Sequence, residues 1–376
     1  MTDFINAHCH LLTFKFVPDS FFKSRAPIRE WLLRRYLTSF AARIATVVLP
    51  GNNYDRSHQV LWLLRQNIDR VAEAFVAEMR ESGIILATPL MMDFEFAYSK
   101  QKSDIDYENQ VEKISQACLK YPGELMPFIM FDPRRPGAIA LTVNALENLG
   151  FLGVKLYPSL GYHPDPDNPY NSKEVNKALN DLYDYCEAEN IPITVHCSKG
   201  GAYNKAILQS EELCHPANWE PVLKKHPELR LNLAHFGSDE ALLDHENALS
   251  WANQILKLMK NFANVYADTS YHTKALEKKT KEQYFKVLAE LMEDETVAER
   301  IIFGTDWLMT RHTWTEGDFC RACDKLSESS RQQIAFNNPL RFLFAEGKLP
   351  ERIKKFYQAN QIKPENLPMW LSVFLA

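Results

Sequence analysis

The stretch Phe4-Ile5-Asn6-Ala7-His8-Cys9-His10 sits near the start of the chain and decides how the rest is read. It reads as a strand, and residues two apart on a strand share a face. His8 and His10 therefore point the same way at the strand's end. Three later segments repeat the design: Thr194-Val195-His196, Leu233-Ala234-His235 and Gly304-Thr305-Asp306 each end an apolar run on a polar, metal-competent side chain.

Working outward, short β-branched or apolar runs alternate with segments of helical period. The strands are expected at 4–10, 84–92, 125–131, 151–157, 191–197, 229–235, 264–270 and 300–306. Helices are expected at 105–121, 137–149, 173–190, 239–261 and 281–295. Eight strands alternating with helices imply a parallel sheet, and eight is the number that closes a TIM-like (β/α)8 barrel. Residues 11–83 are too long for an ordinary connection and read as a helical insertion over the barrel mouth, with helices at 27–43 and 57–81. The run Ile44–Leu49 between them reads as a ninth strand or a core strut. Residues 93–110 form a second long stretch after a strand, and 346–376 a C-terminal extension. Residues 8 and 306 serve one site, so 1–376 is expected to be a single barrel domain.

Composition excludes several classes. The chain has 376 residues, 46% apolar and 24% charged, with net charge −5. Disorder and a basic nucleic-acid face do not fit that balance. No run approaches the roughly 18 apolar residues of a membrane span, and no signal peptide is expected. Seven cysteines on such a chain read as reduced thiols in the cytoplasm, and Cys320-x-x-Cys323 lacks the second pair that zinc would need. The expected partner is a small molecule, without nucleic acid or membrane. The apolar tail Met369–Ala376 and the first insertion are candidate homodimer surfaces.

In a barrel, catalytic side chains gather at the C-terminal ends of the strands. Neutral imidazoles and a carboxylate suit Zn2+ or another divalent ion such as Mn2+. Such an ion lowers the pKa of water, an adjacent Asp takes the proton, and a further His acts as acid or clamp.

The set Asn6–His10, Gly153-Val154-Lys155-Leu156-Tyr157-Pro158, Thr194–Cys197, Leu233-Ala234-His235-Phe236-Gly237 and Phe303-Gly304-Thr305-Asp306-Trp307 resembles the amidohydrolase superfamily. Within it the chain is most similar to the amidohydrolase-related branch, which includes aminocarboxymuconate-semialdehyde decarboxylase. Asn337-Asn338-Pro339-Leu340-Arg341-Phe342-Leu343-Phe344 resembles the helix that closes that branch. The resemblance implies that His8, His10, His196 and Asp306 hold a metal, with Asp306 also the catalytic base. It implies that His235 is a ligand in a two-metal site or a catalytic acid or base in a one-metal site.

Lys155 lies where two-metal members carry a bridging carboxylated lysine, or it pairs with a carboxylate at the edge of a one-metal site. One ion is expected rather than two. Lys155, Tyr157, Trp307 and Arg311 are the candidate substrate-binding residues. The leading expectation is hydrolysis of an amide, ester or lactone by metal-activated water. The alternative is non-oxidative decarboxylation of an unsaturated or aromatic carboxylate, and a non-catalytic metal-binding barrel is the third reading.

Overall fold

The computed structural model describes residues 2–18, 54–97, 102–204, 207 and 209–372. Eight parallel strands form in the expected order: β1 Phe4–Cys9, β2 Ile84–Pro89, β3 Phe128–Met130, β4 Gly153–Leu156, β5 Ile193–Ser198, β6 Leu231–Gly237, β7 Val265–Asp268 and β8 Ile301–Ile302. β1 pairs with β2, and β3 to β8 pair in chain order. Two seams close the ring. Between β2 and β3, the Ala87 amide donates to Glu124 O (2.9 Å) and the Met91 amide to Phe128 O (3.0 Å). Between β8 and β1, the Ala7 amide donates to Phe303 O and the His10 amide to Trp307 O, each at 3.0 Å. The architecture is a closed (β/α)8 barrel. β8 is shorter than expected because Thr305 and Asp306 both turn their amides to His8 O, carrying the chain across β1.

The main helices are α1 Tyr54–Leu64, α2 Ile68–Ser82, α3 Tyr107–Leu119, α4 Ala138–Asn148, α5 Lys173–Ala188, α6 Trp251–Asn261 and α7 Lys281–Leu291. The single helix expected over 57–81 is in fact α1 and α2. Asn67 separates them, its side chain accepting the Arg70 amide at 3.0 Å as an N-cap. α2 buries Val71, Phe75, Val76 and Met79, and the Phe75 ring lies 4.4 Å from that of Trp307. It ends at Gly83, whose carbonyl accepts the Phe4 amide at 3.0 Å. Residues 68–82 are therefore an outer helix leading into β2 and do not lie over the mouth. The expected helix 27–43 and the run Ile44–Leu49 fall outside the described residues. The helix expected over 239–261 also divides, into Asp239–Leu243 and α6. Asn247 accepts the Leu249 amide and Ser250 donates to Ala241 O, and these side-chain bonds favour the turn over helix.

Three further helices, α8 Glu316–Ala322, α9 Asn338–Leu343 and α10 Glu351–Ala359, complete the body. α9 and α10 cover the N-terminal ends of the strands. The Arg230 guanidinium, just ahead of β6, donates to Phe342 O, and Arg352 donates to Phe151 O and Leu152 O just ahead of β4. Gly150 (φ 74°) lets Phe356 pack where a Cβ would collide with the ring. No described helix is long and apolar enough to cross a membrane.

One polar tie runs beneath the mouth. Asn6 Nδ2 donates to Thr305 Oγ1 and to Glu316 Oε2, both at 2.8 Å, joining β1 to the end of β8 and to α8. Burial pushes the Glu316 carboxyl up from the usual 4.5 to about 8. The folded state therefore keeps its proton while the unfolded chain loses it, so this group costs stability as pH rises from about 4.5 to 8, by about 1.4 kcal/mol per unit at most. Glu316→Gln keeps an acceptor for Asn6 and removes the ionisation. Its Tm should match the wild type near pH 5 and exceed it increasingly towards pH 8; a pH-independent difference refutes the assignment. Phe75→Ala should cost about 3–5 kcal/mol in urea unfolding by opening a cavity between α2 and Trp307.

Candidate metal centre

At the mouth, β1, β5, β6 and the turn after β8 bring His8, His10, His196, His235 and Asp306 together, as expected from their places in the sequence. His8, His235 and Asp306 each offer a donor atom, all within 4.8 Å of one another. His10 joins through Asp306, with 3.2 Å from its Nε2 to Oδ1. His196 joins through His235, with 3.1 Å between Nδ1 and Nε2. The compact triple thus includes His235, with His10 and His196 at its edges. His235 (φ 64°) and Asp306 (φ 61°) both sit in the left-handed region, a strained backbone that surrounding contacts must hold.

The outer nitrogen of each ring determines what the inner one can do. His10 Nδ1 lies 2.7 Å from Leu90 O, and His196 Nε2 lies 2.9 Å from Gly200 O. His8 Nδ1 lies 3.0 Å from Asp268 Oδ2, and His235 Nδ1 lies 3.2 Å from Ser270 O. Carbonyls and carboxylates only accept, so each of these nitrogens carries the proton. In the neutral rings of His8, His196 and His235 the inner nitrogens are then bare lone pairs. His196 Nδ1 faces His235 Nε2, acceptor against acceptor, and His10 Nε2 lies 3.2 Å from the Asp306 carboxylate. The facing lone pairs call for a cation, and the donor set fits a divalent first-row ion.

Protonation states agree with this reading. Burial, opposed by Asp268, brings His8 down to about 4. Burial also lowers His235, and lowers His196 further with the help of His235 and Lys155. Burial opposes ionisation of Asp306, but His10, His8 and His235 outweigh it and hold the carboxyl below its usual range.

Asp268, at the end of β7, is a site residue that the sequence reading did not single out. It is fully buried and accepts from His8 Nδ1 (3.0 Å), Asn232 Nδ2 (2.7 Å), the His235 amide (2.9 Å) and the Ser270 amide (3.0 Å). The Ser270 hydroxyl donates to it as well and lies 2.9 Å from Nδ1 of both His8 and His235. As for Asp268, burial is outweighed by His8 and Ser270, so the carboxyl stays ionised. A carboxylate at the end of the expected strand 264–270 was the available signal.

Lys155, on β4, is fully buried, and its Nζ has no hydrogen-bond partner. Burial lowers it to about 8, while Asp268 and Asp306 favour its charge. Of the other expected substrate contacts, Tyr157 lies against the site, while Trp307 and Arg311 face α2. The Tyr157 ring stacks on His196 (4.1 Å, 11°), and its hydroxyl accepts the Ala202 amide at 2.8 Å. Gly201 (φ 82°) makes this possible, since a Cβ there would strike both rings. Trp307 is fully buried against Phe75, and its Nε1 donates to Glu78 at 3.2 Å. Arg311 donates to the same carboxylate at 3.0 Å. Both therefore dock α2, because Glu78 lies on that helix. The Arg residues at 25, 29, 34 and 35 lie outside the described residues. His226, ahead of β6, is buried, with its Nδ1 3.0 Å from the Glu187 carboxylate.

Comparison with known proteins agrees with the barrel fold. A probable 2-pyrone-4,6-dicarboxylic acid hydrolase from Acinetobacter baumannii superposes with TM-score 0.54 at 13% identity, covering 91% of this chain and 99% of that one. A 5-carboxyvanillate decarboxylase from Novosphingobium aromaticivorans, with manganese bound, gives 0.56 at 15% identity over 91% and 97%. An amidohydrolase from Burkholderia multivorans, with zinc bound, gives 0.53 at 12% identity over 91% and 99%. At these identities the likeness is one of fold. No curated protein sequence matches the chain. The amidohydrolase family model matches residues 5–345, nearly the whole length, and the chain belongs to that family.

Proposed function

We propose that this protein is a metal-dependent hydrolase that acts on the carbonyl carbon of a small amide, ester or lactone. The observation that carries the reading is the buried donor set converging on one volume, His8, His235 and Asp306 within 4.8 Å of one another, with His10 against Asp306 and His196 against His235. His8, His10, His196 and Asp306 would hold one divalent ion, Zn2+ or Mn2+. Such an ion, when bound, supplies Lewis acidity and acidifies water. The Asp306 carboxylate, ionised at neutral pH, accepts the proton of the attacking water at Oδ1. His235 Nε2, unprotonated in the resting site, takes up a proton and returns it to the leaving group. Lys155 Nζ, buried and unpartnered, binds a negatively charged group of the substrate and orients it. Tyr157 holds the plane of His196.

A second reading, non-oxidative decarboxylation of an unsaturated or aromatic carboxylate, is favoured by that same unpartnered Lys155 cation, which suits a carboxylate. Turnover in 18O-labelled water separates the two. Hydrolysis incorporates label into the product acid, whereas decarboxylation releases carbon dioxide and leaves the organic product unlabelled.

Protein purified without chelator should contain about one equivalent of divalent metal. His8→Ala should lose most of that metal and the activity, measured by elemental analysis and an ester and lactone screen. Unchanged metal content in His8→Ala refutes the ligand assignment. Lys155→Met should raise KM for carboxylate-bearing substrates about tenfold or more, because a charge-assisted bond worth about 1.5–3 kcal/mol is lost. Neutral esters should be affected far less.

A further inference from the structure

The site rests on a second histidine layer that its chemistry does not use. His272 lies four residues after the end of β7 and is almost fully buried, as is Tyr284 on α7. His272 Nδ1 is 2.8 Å from the Tyr284 hydroxyl, and His272 Nε2 is 2.8 Å from the backbone carbonyl of His235. That carbonyl only accepts, so Nε2 carries the proton. Nδ1 is then bare and accepts from Tyr284. The phenol thereby selects the ring tautomer that can reach His235.

We propose that His272, oriented by Tyr284, is a positioning residue that sets the backbone of His235 and, through it, the aim of the His235 ring. The His235 peptide is gripped at both ends. Its amide donates to Asp268 at 2.9 Å, and its carbonyl accepts from His272. His235 and Phe236 carry φ values of 64° and 46°, which non-glycine residues keep only when their surroundings hold them. Releasing the carbonyl frees this turn to relax and swings Nδ1 away from Ser270 O and Oγ. The ring's tautomer is then no longer determined, and Nε2 loses its place 3.1 Å from Nδ1 of the proposed ligand His196. The link to metal binding rests on the function proposed above, whereas the effect on the His235 ring does not.

The test compares wild type, Tyr284→Phe, His272→Leu and His272→Gln. Side-chain 15N NMR of histidine-labelled, metal-free protein reads the tautomer of His235, and titration with Mn2+ reads affinity. Wild-type His235 should be a single Nδ1–H tautomer. Tyr284→Phe and His272→Leu should show mixed tautomers and a Mn2+ Kd about tenfold higher, the size expected when a group supporting a ligand is removed. His272→Gln, which keeps an N–H donor near the His235 carbonyl, should return both readouts towards wild type. A His235 signal unchanged in Tyr284→Phe, with Tm alone shifted, overturns the proposal. Tyr284→Phe loses one oxygen from a packed ring, so the test survives if His272→Leu fails to fold. Wild type that binds no Mn2+ would refute the proposed function and leave the NMR comparison to decide this inference.

Discussion

A buried carboxylate, Asp268, organises the whole mouth of this barrel. It has no solvent exposure, and ionised carboxylates are costly to bury unless they are fully bonded. Its acceptor sites are taken by His8, Asn232, Ser270 and the amide of His235. Each bond satisfies the charge and also sets a neighbour. His8 is forced to protonate Nδ1 and turn Nε2 inward, and His235 is held in a left-handed backbone from which its ring reaches the same space. Without that anion two of the rings would have no fixed tautomer and no fixed direction.

The inner face of the site is arranged to be incomplete. Four imidazoles have their outer nitrogens committed to acceptors, so their inner nitrogens and one carboxylate converge on the same volume. A few ångströms of buried space with acceptors facing acceptors is unfavourable for the protein alone and favourable for a cation. Lys155 adds the complementary feature, a buried amine with no hydrogen-bond partner, its Nζ 5.6 Å from the Tyr157 ring. Polar groups left unsatisfied inside a packed barrel mark where the fold gives up stability for binding. Around them the scaffold is stiff. Tyr157 stacks on His196, the Asn6 tie joins β1 to β8, and α9 with α10 closes the opposite end of the barrel.

Much of this was legible in the sequence because it depends on local periodicity. Strand spacing and the two-residue repeat of His8 and His10 place the barrel and its rim residues, since side chains two apart on a strand share a face. The strands ending at His196, His235 and Asp306 were legible for the same reason. Asp268 was not, although it too ends a strand, because nothing in the sequence says that its carboxylate turns towards His8. Trp307 and Arg311 follow Asp306 closely and read as mouth residues. Their direction is set by Glu78 and Phe75 on α2, more than 200 residues away. The division of 57–81 at Asn67 turns on one side-chain cap, and helical period alone does not register it.

By itself, then, the sequence determined the barrel, the order of its strands and the residues brought to one rim, because hydrophobic period and strand-end placement are properties of neighbouring residues. The tertiary structure alone decided which nitrogen of each ring faces inward, that α2 is an outer helix, and that Lys155 is buried without a hydrogen-bond partner. Those outcomes depend on hydrogen-bond partners and packing contacts between segments far apart in the chain, and only the closed barrel brings them within reach.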